Sequence, residues 1–312
     1  MALIKTDRSR HRSKSILASF CLCLVCLQYS LVLNAQSSEI ESAFVRFVPA
    51  STAWEGELQT AISSYRNAAG IEVDLVAAIH IAEPEYYQGL NQYFSTRDVV
   101  LYELVAEADE VPDSQDSSSR GSTSGSLLGF IQQTLANFLN VSFQLNLIDY
   151  TAENFQHADL TPSQLQALME SKNESFFSMF LSLALAQTNA SQAEAQATAV
   201  DPASLSSFNL MTIVTALNSD NQNNAFKYLF AEELGRSGGV IVGPELEQQL
   251  TLIGDRNNVV FDVLDDTLRN PRIEKISIFY GAAHMPGIER ELLGNLGFDR
   301  TEQQWRAAWI IP

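Results

Sequence analysis

Two apolar runs open the patterned part of the chain. Leu58 to Arg66 (LQTAISSYR) and Val73 to His80 (VDLVAAIH) flank the turn-forming Asn67-Ala68-Ala69-Gly70, and two β-rich runs joined by a short Gly-containing loop predict a hairpin. The second run is almost continuously apolar, as expected of a strand covered on both faces. Pro84 then opens a helix with Tyr86, Tyr87, Leu90 and Phe94 near helical spacing, and Asp98 to Val105 (DVVLYELV) reads as a second buried strand. Strand, helix, strand is a βαβ unit, so a parallel pair is expected at the heart of the fold. From about Leu127 to Arg269 the spacing turns helical, with LLGFIQQTLANFL, PSQLQALME behind the cap-like Thr161-Pro162, FFSMFLSLALAQ, SLSSFNLMTIVTAL, NAFKYLFAEELG and NNVVFDVLDDTLR in succession. The β pattern returns at Ile273 to Tyr280 (IEKISIFY), before a turn at Gly281 to His284, a helix from Gly287 to about Asn295 and a final strand, Gln304 to Ile311. The expected fold is α/β, with one central mixed sheet and a parallel βαβ core built from both ends of the chain, around a helical insertion at about 127–269.

The N-terminal segment changes the expected organisation. Lys5, Arg8, Arg10, Arg12 and Lys14 precede the apolar run Ile16 to Val32, the layout of a secretory signal with Asn34-Ala35 as its cleavage point. The alternative is an uncleaved anchor, because the run approaches the length of a membrane helix. The expectation is a signal peptide over 1–35 and a single exported domain over 36–312, periplasmic or extracellular, with no stable membrane insertion after cleavage. Residues 109–126 (DEVPDSQDSSSRGSTSGS) have almost nothing to bury and read as a flexible loop. The run Phe176 to Ala186 is too short to span a bilayer and reads as the core of the insertion.

Cleavage also removes all three cysteines, Cys21, Cys23 and Cys26, so any site must be made from histidines, carboxylates and oxygen donors. It takes five of the 19 basic and one of the 37 acidic residues, leaving 14 and 36, a net charge of −22. So negative a body repels nucleic acid and anionic lipid and is compatible with peptides, neutral small molecules and cations. Solubility in a salty exterior accounts for the same charge.

Two segments look like versions of one device: VDLVAAIHIAEPEYY around His80 and ISIFYGAAHMPGIER around His284. In each, an apolar strand runs into two small residues, a His, a nearby Pro and a helix. That places the His just outside the carboxyl end of a strand, where open α/β sheets bind ligands. Glu103 interrupts the otherwise apolar VVLYELV, and a carboxylate there must be paired, hydrogen-bonded or bound to a cation. Two imidazoles and a carboxylate make a minimal site for a first-row divalent metal. The structural alternative pairs Glu103 with Arg256, which lies in Gly254-Asp255-Arg256-Asn257-Asn258 and is equally well placed to meet a substrate carboxylate or an oxyanion. His157, in FQHADL, reads first as a structural residue.

In VDLVAAIHIAEPEYYQGLNQYF, DVVLYELV, IDYTAENFQHADLT, GDRNN and YGAAHMPGIERELL the chain resembles the TraB/GumN and TIKI superfamily, which includes bacterial pheromone-shutdown proteins and is similar to the erythromycin-esterase and ChaN-like fold. The resemblance runs over most of the mature chain. It implies two Gly-x-x-His motifs, an intervening Glu and an Arg, which fall here on His80, on Gly281 with His284, on Glu103 and on Arg256. One departure is visible: the first motif reads Ala77-Ala78-Ile79-His80, and Ala77 is harmless only where its φ is negative. Animal members are membrane-tethered metalloproteases that use manganese or cobalt, so the resemblance implies such a metal here.

The expected chemistry is metal-assisted hydrolysis of a peptide or amide, with His80, Glu103 and His284 as metal ligands and Arg256 stabilising the oxyanion. Glu107, Glu245 and Glu103 itself are the candidates for general base. The rival reading is a protein that sequesters a peptide or small ligand at the same cleft without turnover. A third, suggested by the ChaN-like similarity, is haem binding through a single His.

Overall fold

Twelve residues of one strand organise half of the sheet. In this computed structural model, which describes residues 43–107, 142–175, 210–236, 238 and 244–312, strand β2 (Gly56–Asn67) carries β9 (Phe298–Ile311) antiparallel along one whole edge. Its other edge is shared: β1 (Val45–Pro49) pairs with Gly56 to Thr60 and β3 (Glu72–Ala78) with Ile62 to Arg66, both antiparallel. The β2–β3 connection is the predicted hairpin, and Gly70 supplies its turn at φ +88°, a conformation that favours glycine.

Beyond β3 the sheet is parallel. The order continues through β8 (Lys275–Gly281), β5 (Val99–Tyr102) and β7 (Phe155–His157), giving seven strands in all, and each of the pairs β3–β8, β8–β5 and β5–β7 is parallel. The sheet is thus mixed with a parallel core drawn from both ends of the chain, as expected. The expected parallel pair is not a pair of neighbours, however. Helix α1 (Pro84–Phe94) does link two parallel strands, β3 and β5, but β8 arrives from about 200 residues downstream and lies between them. The middle of the chain also gives more than helices, since β7 forms the sheet's edge and the short β6 (Ser142–Phe143) pairs with β4 (Ile81–Ala82). The helices described between β7 and β8 are α2 (Pro162–Ser171), α3 (Leu210–Leu217), α4 (Gln222–Arg236), α5 (Pro244–Gln249) and α6 (Arg256–Leu268). Helix α7 (Met285–Gly294) leads from β8 towards β9. The Thr161 cap is a full capping box with Gln164, which satisfies two otherwise orphaned N–H groups.

Both faces of the parallel strands are buried, and the alternation along each strand decides which residue serves which layer. Val76 and Ala78 of β3, Val100 and Tyr102 of β5 and Phe279 of β8 join Tyr86, Tyr87, Leu90 and Phe94 of α1 on one face. Val73, Leu75 and Ala77, Leu101, and Ile276, Ile278 and Tyr280 meet Val260 and Leu264 of α6 and Met285, Ile288 and Leu292 of α7 on the other. Helix, sheet, helix layering of this kind leaves the carboxyl ends of the parallel strands together at one rim.

No helix among the described residues is long and apolar enough to cross a membrane. The expected signal segment at 1–35, the loop at 109–126 and the run from Phe176 lie outside the described residues.

Candidate active site

Each of the four parallel strands delivers one polar side chain to that rim. His80 follows β3 by two residues, His284 follows β8 by three, Glu103 follows β5 directly, and Asp159 follows β7 by two. Arg256, in the first turn of α6, enters from the side. These are the two sequence-selected histidines, the acid and the Arg, together with an acid that sequence reasoning passed over.

Gly281 is where they meet. A Cβ built on Gly281 would lie 3.1 Å from Glu103 Oε2, 3.5 Å from His80 Nε2 and 3.8 Å from His284 Cδ2. The φ of Gly281 is −53°, so backbone freedom is not what requires glycine here; the missing side chain is, because it lets three functional groups close on the chain. In the matching turn Ala77 lies inside β3, and Trp54 and Asn173 are the non-glycine residues with positive φ among those described, so the extra methyl is accommodated without strain.

Glu103 is held on both oxygens. Oε1 accepts from Arg256 Nη2 at 2.6 Å and Oε2 accepts from the backbone N–H of Gly281 at 2.5 Å. Burial alone would raise its pKa, but the Arg256 guanidinium, the two imidazoles and the Gly281 N–H reverse this and hold the carboxyl well below the ordinary carboxylate range. Asp159 takes the other face of the guanidinium in a bidentate pair, accepting from Nε at 2.9 Å and from Nη2 at 2.5 Å. Arg256 therefore spends three of its five donors on carboxylates, and the pairing of Glu103 with Arg256 foreseen from the sequence is present. Its Nη1 makes long contacts alone, 3.5 Å to Leu252 O and 3.5 Å to His284 Nε2, and this edge remains for a further acceptor.

The two imidazoles differ in exposure but are held alike. His284 is buried and its Nδ1 faces Asn257 Oδ1 at 2.7 Å, while Nε2 lies 3.6 Å from Glu103 Oε1. Burial, with the Arg256 charge beside it, pulls its pKa down to about 4, against the opposing pull of Glu103, so at neutral pH the ring is uncharged. His80 stands exposed at the mouth with Nδ1 3.3 Å from Gln144 Oε1, and Gln144 Nε2 donates to Tyr150 at 2.7 Å, which orients the amide. The backbone around His80 is fixed as well: the carbonyls of Ile79, His80 and Ile81 accept from Tyr87 OH, Gln144 N and Trp309 Nε1 in turn.

His157 is not part of this group. One ring nitrogen lies 2.6 Å from Leu104 O and the ring stacks edge-on against Tyr102, the structural role expected of it. Glu107 and Glu245 are both exposed. The α5 acid that reaches the site is instead Glu247, buried, which accepts from Asn257 Nδ2 at 3.2 Å and pairs with Arg290. Asn257 and Glu247 were missed because each is a polar residue in a polar context, where sequence alone reads a solvated loop or helix face, whereas Gln144 and Asp159 stand between apolar neighbours in short segments without a clear period. A weak signal existed for Asp159, which stands between Ala158 and Leu160, both buried.

The donor set suits a divalent cation. Two imidazoles and a carboxylate are ligands of the right type, each Glu103 oxygen retains a second lone pair, and two carboxylates against one guanidinium leave the buried part with a deficit of positive charge. Among the described residues, however, no three His, Cys or acidic side chains stand together in a group that could hold a metal ion as placed, so a bound cation would require these side chains to rearrange. Comparison with protein-family models, with curated proteins and with solved structures finds no match to this chain.

Proposed function

We propose that the chain is a metal-dependent hydrolase of a peptide or amide bond, of the TraB/GumN kind, with its centre beside Gly281. The observation that carries this reading is the approach of His80, Glu103 and His284 to one glycine at the carboxyl rim of a parallel sheet. Such a rim is where polar groups gather for chemistry rather than for stability. His80, Glu103 and His284 would hold the cation, manganese or cobalt by the family resemblance. Bound there, it supplies a water of lowered pKa and polarises the scissile carbonyl. His80, at the exposed mouth, meets the substrate first and is kept in place by Gln144. Glu103 stays ionised because Arg256 and the Gly281 N–H hold it so, which suits it to bind the cation and makes it a weak proton acceptor. Arg256 presents its Nη1 edge to the centre and stabilises negative charge that develops on the carbonyl oxygen.

A specific observation favours a second reading, in which His80 and His284 act as bases without a metal: both Glu103 oxygens are already occupied by protein donors. One experiment separates the two. The full chain is stripped with chelator, re-supplied with manganese or cobalt, and incubated with a peptide mixture analysed by mass spectrometry. Metal-dependent cleavage is expected, with His80→Ala and His284→Ala falling by about 10²–10⁴-fold while retaining the wild-type circular dichroism. Cleavage unaffected by chelator supports the metal-free reading. Peptides recovered bound and intact indicate sequestration instead, and full activity in both variants removes the site from consideration.

A further inference from the structure

We propose that Glu247 fixes the proton of His284 on Nδ1 by way of Asn257, so that an acid outside the centre decides which nitrogen of the imidazole is left bare towards Glu103. The proposal rests on the reading of His284 as a working residue of the site and adds two positioning residues to it.

The order of donors and acceptors dictates the result. Glu247 is paired with Arg290 and offers oxygens that accept. Its Oε1 lies 3.2 Å from Asn257 Nδ2, which also faces the backbone carbonyl of His284 at 3.5 Å. Turning the amide over would set Asn257 Oδ1 against a carboxylate oxygen and a carbonyl oxygen with no hydrogen between them. The NH₂ end therefore stays towards Glu247, and Oδ1 must face His284 Nδ1, which it does at 2.7 Å. An amide oxygen cannot donate, so the hydrogen in that contact belongs to Nδ1, and Nε2 keeps its lone pair.

The opposite side of the ring cannot overrule this. There the donor Arg256 Nη1 at 3.5 Å favours a bare Nε2 and the acceptor Glu103 Oε1 at 3.6 Å favours a protonated one. Two long, opposed contacts leave the decision to the short one. A metal-ligating or proton-accepting His is commonly set in this way by the partner of its other nitrogen.

Gly287 makes the arrangement possible. A Cβ at this position would lie 1.8 Å from Glu247 Oε1 and 2.6 Å from Asn257 Nδ2, so a side chain there would displace the carboxylate and the amide from their contact. The residue three places after His284 is thus the one that admits the acid which orients it.

Long-range ¹H–¹⁵N correlation spectra of the metal-free full chain, labelled at histidine, read the tautomer directly, with the His284 signals assigned by their loss in His284→Ala. The wild type is expected to show Nδ1 protonated and Nε2 bare. Glu247→Gln, whose side-chain amide can face Asn257 either way, is expected to lose this single-tautomer signature for a mixture. The double variant Asn257→Asp/Glu247→Gln is expected to recover it, because Asp accepts from Nδ1 whatever stands at position 247. A wild-type spectrum with Nε2 protonated overturns the proposal without reference to any variant, and so does an unchanged signature in Glu247→Gln. Neither result depends on turnover: an inactive protein with Nδ1 protonated overturns the hydrolase reading alone, and an active one with Nε2 protonated overturns the relay alone.

Discussion

Arg256 stands between two carboxylates in a place that water barely reaches, and its removal leaves both without a counter-ion. Breaking a buried ion pair by deleting one partner costs about 3–5 kcal/mol, more than the pair itself contributes, because an uncompensated charge stays behind. Arg256→Met is therefore expected to lower the unfolding free energy by about that amount in urea titrations, and a loss below about 1 kcal/mol would show that the cluster is solvated. The pH dependence follows from the same group. In the unfolded chain His284 titrates near 6.5 and in the folded protein near 4, so as pH falls through that window the unfolded state gains a proton that the folded state refuses. Stability is present in full above 6.5 and is lost towards 4, at up to roughly 1.4 kcal/mol per pH unit. Glu103, held below its ordinary value of 4.5, carries the loss further into acid. With chelator present, the urea midpoint should fall between about pH 7 and about pH 5, and should fall less steeply in His284→Gln. A parallel decline in the two proteins would assign the acid sensitivity elsewhere. At this scale the sequence was legible where chemistry contradicts surroundings: a Glu inside VVLYELV, two His after apolar strands. It was silent on Asn257 and Glu247, whose polarity is unremarkable until the fold buries them, and gave only a weak signal for Asp159 and Gln144, each set between apolar neighbours.

One element far from the centre in sequence, β9, holds the His80 turn through two residues. Trp309 of β9 donates to Ile81 O at 2.6 Å, and the Glu83 N–H returns a bond to Ala308 O, so the last strand clamps the chain just beyond His80. Trp309→Phe keeps the buried ring and deletes one donor, leaving a buried carbonyl unsatisfied at about 1–3 kcal/mol. Loss of stability in that range is expected, together with reduced turnover from a looser His80; unchanged turnover in a destabilised variant would show that the clamp serves the fold alone. Helix α4 lies so close to β1 that a Cβ on Gly235 would come within 2.4 Å of Phe47 N. Replacing a helical Gly by Ala gains at most about 1 kcal/mol in propensity, and less at the penultimate residue of α4, whereas overpacking against backbone costs about 1–3. Gly235→Ala should accordingly melt lower than wild type, and a higher melting temperature would mean that the helix can move aside. The same balance of local against tertiary forces explains which elements could be read in advance. The β2–β3 hairpin, α1, α6 and β8 announce themselves by period and turn residues. Strand β7 does not: three residues, FQH, carry no alternation, and their pairing with β5 is decided by the sheet.

Sheet order makes the fold depend on its last 43 residues. Strand β8 lies between β3 and β5, pairs with both, and brings Gly281 and His284 to the rim that the N-terminal half has supplied with His80 and Glu103. Neither half of the chain contains a site, and neither contains a closed parallel core. Ile276, Ile278, Phe279 and Tyr280 are fully buried in β8, and at about 1.5–3 kcal/mol for each large side chain they contribute on the order of 6–12 kcal/mol. That rivals the total net stability of an ordinary domain, about 5–15 kcal/mol, even before α7 and β9 are counted. A chain ending at Arg269 is therefore expected to lack a cooperative unfolding transition, because β3 and β5 face each other across a missing strand. Supplying residues 270–312 as a separate peptide should restore that transition, since the gap it enters has two hydrogen-bonding edges and an apolar layer on each side. Cooperative melting of the shortened chain alone would mean that β3 and β5 can pair directly, and the junction between the two ends would then be an addition to the fold rather than its centre.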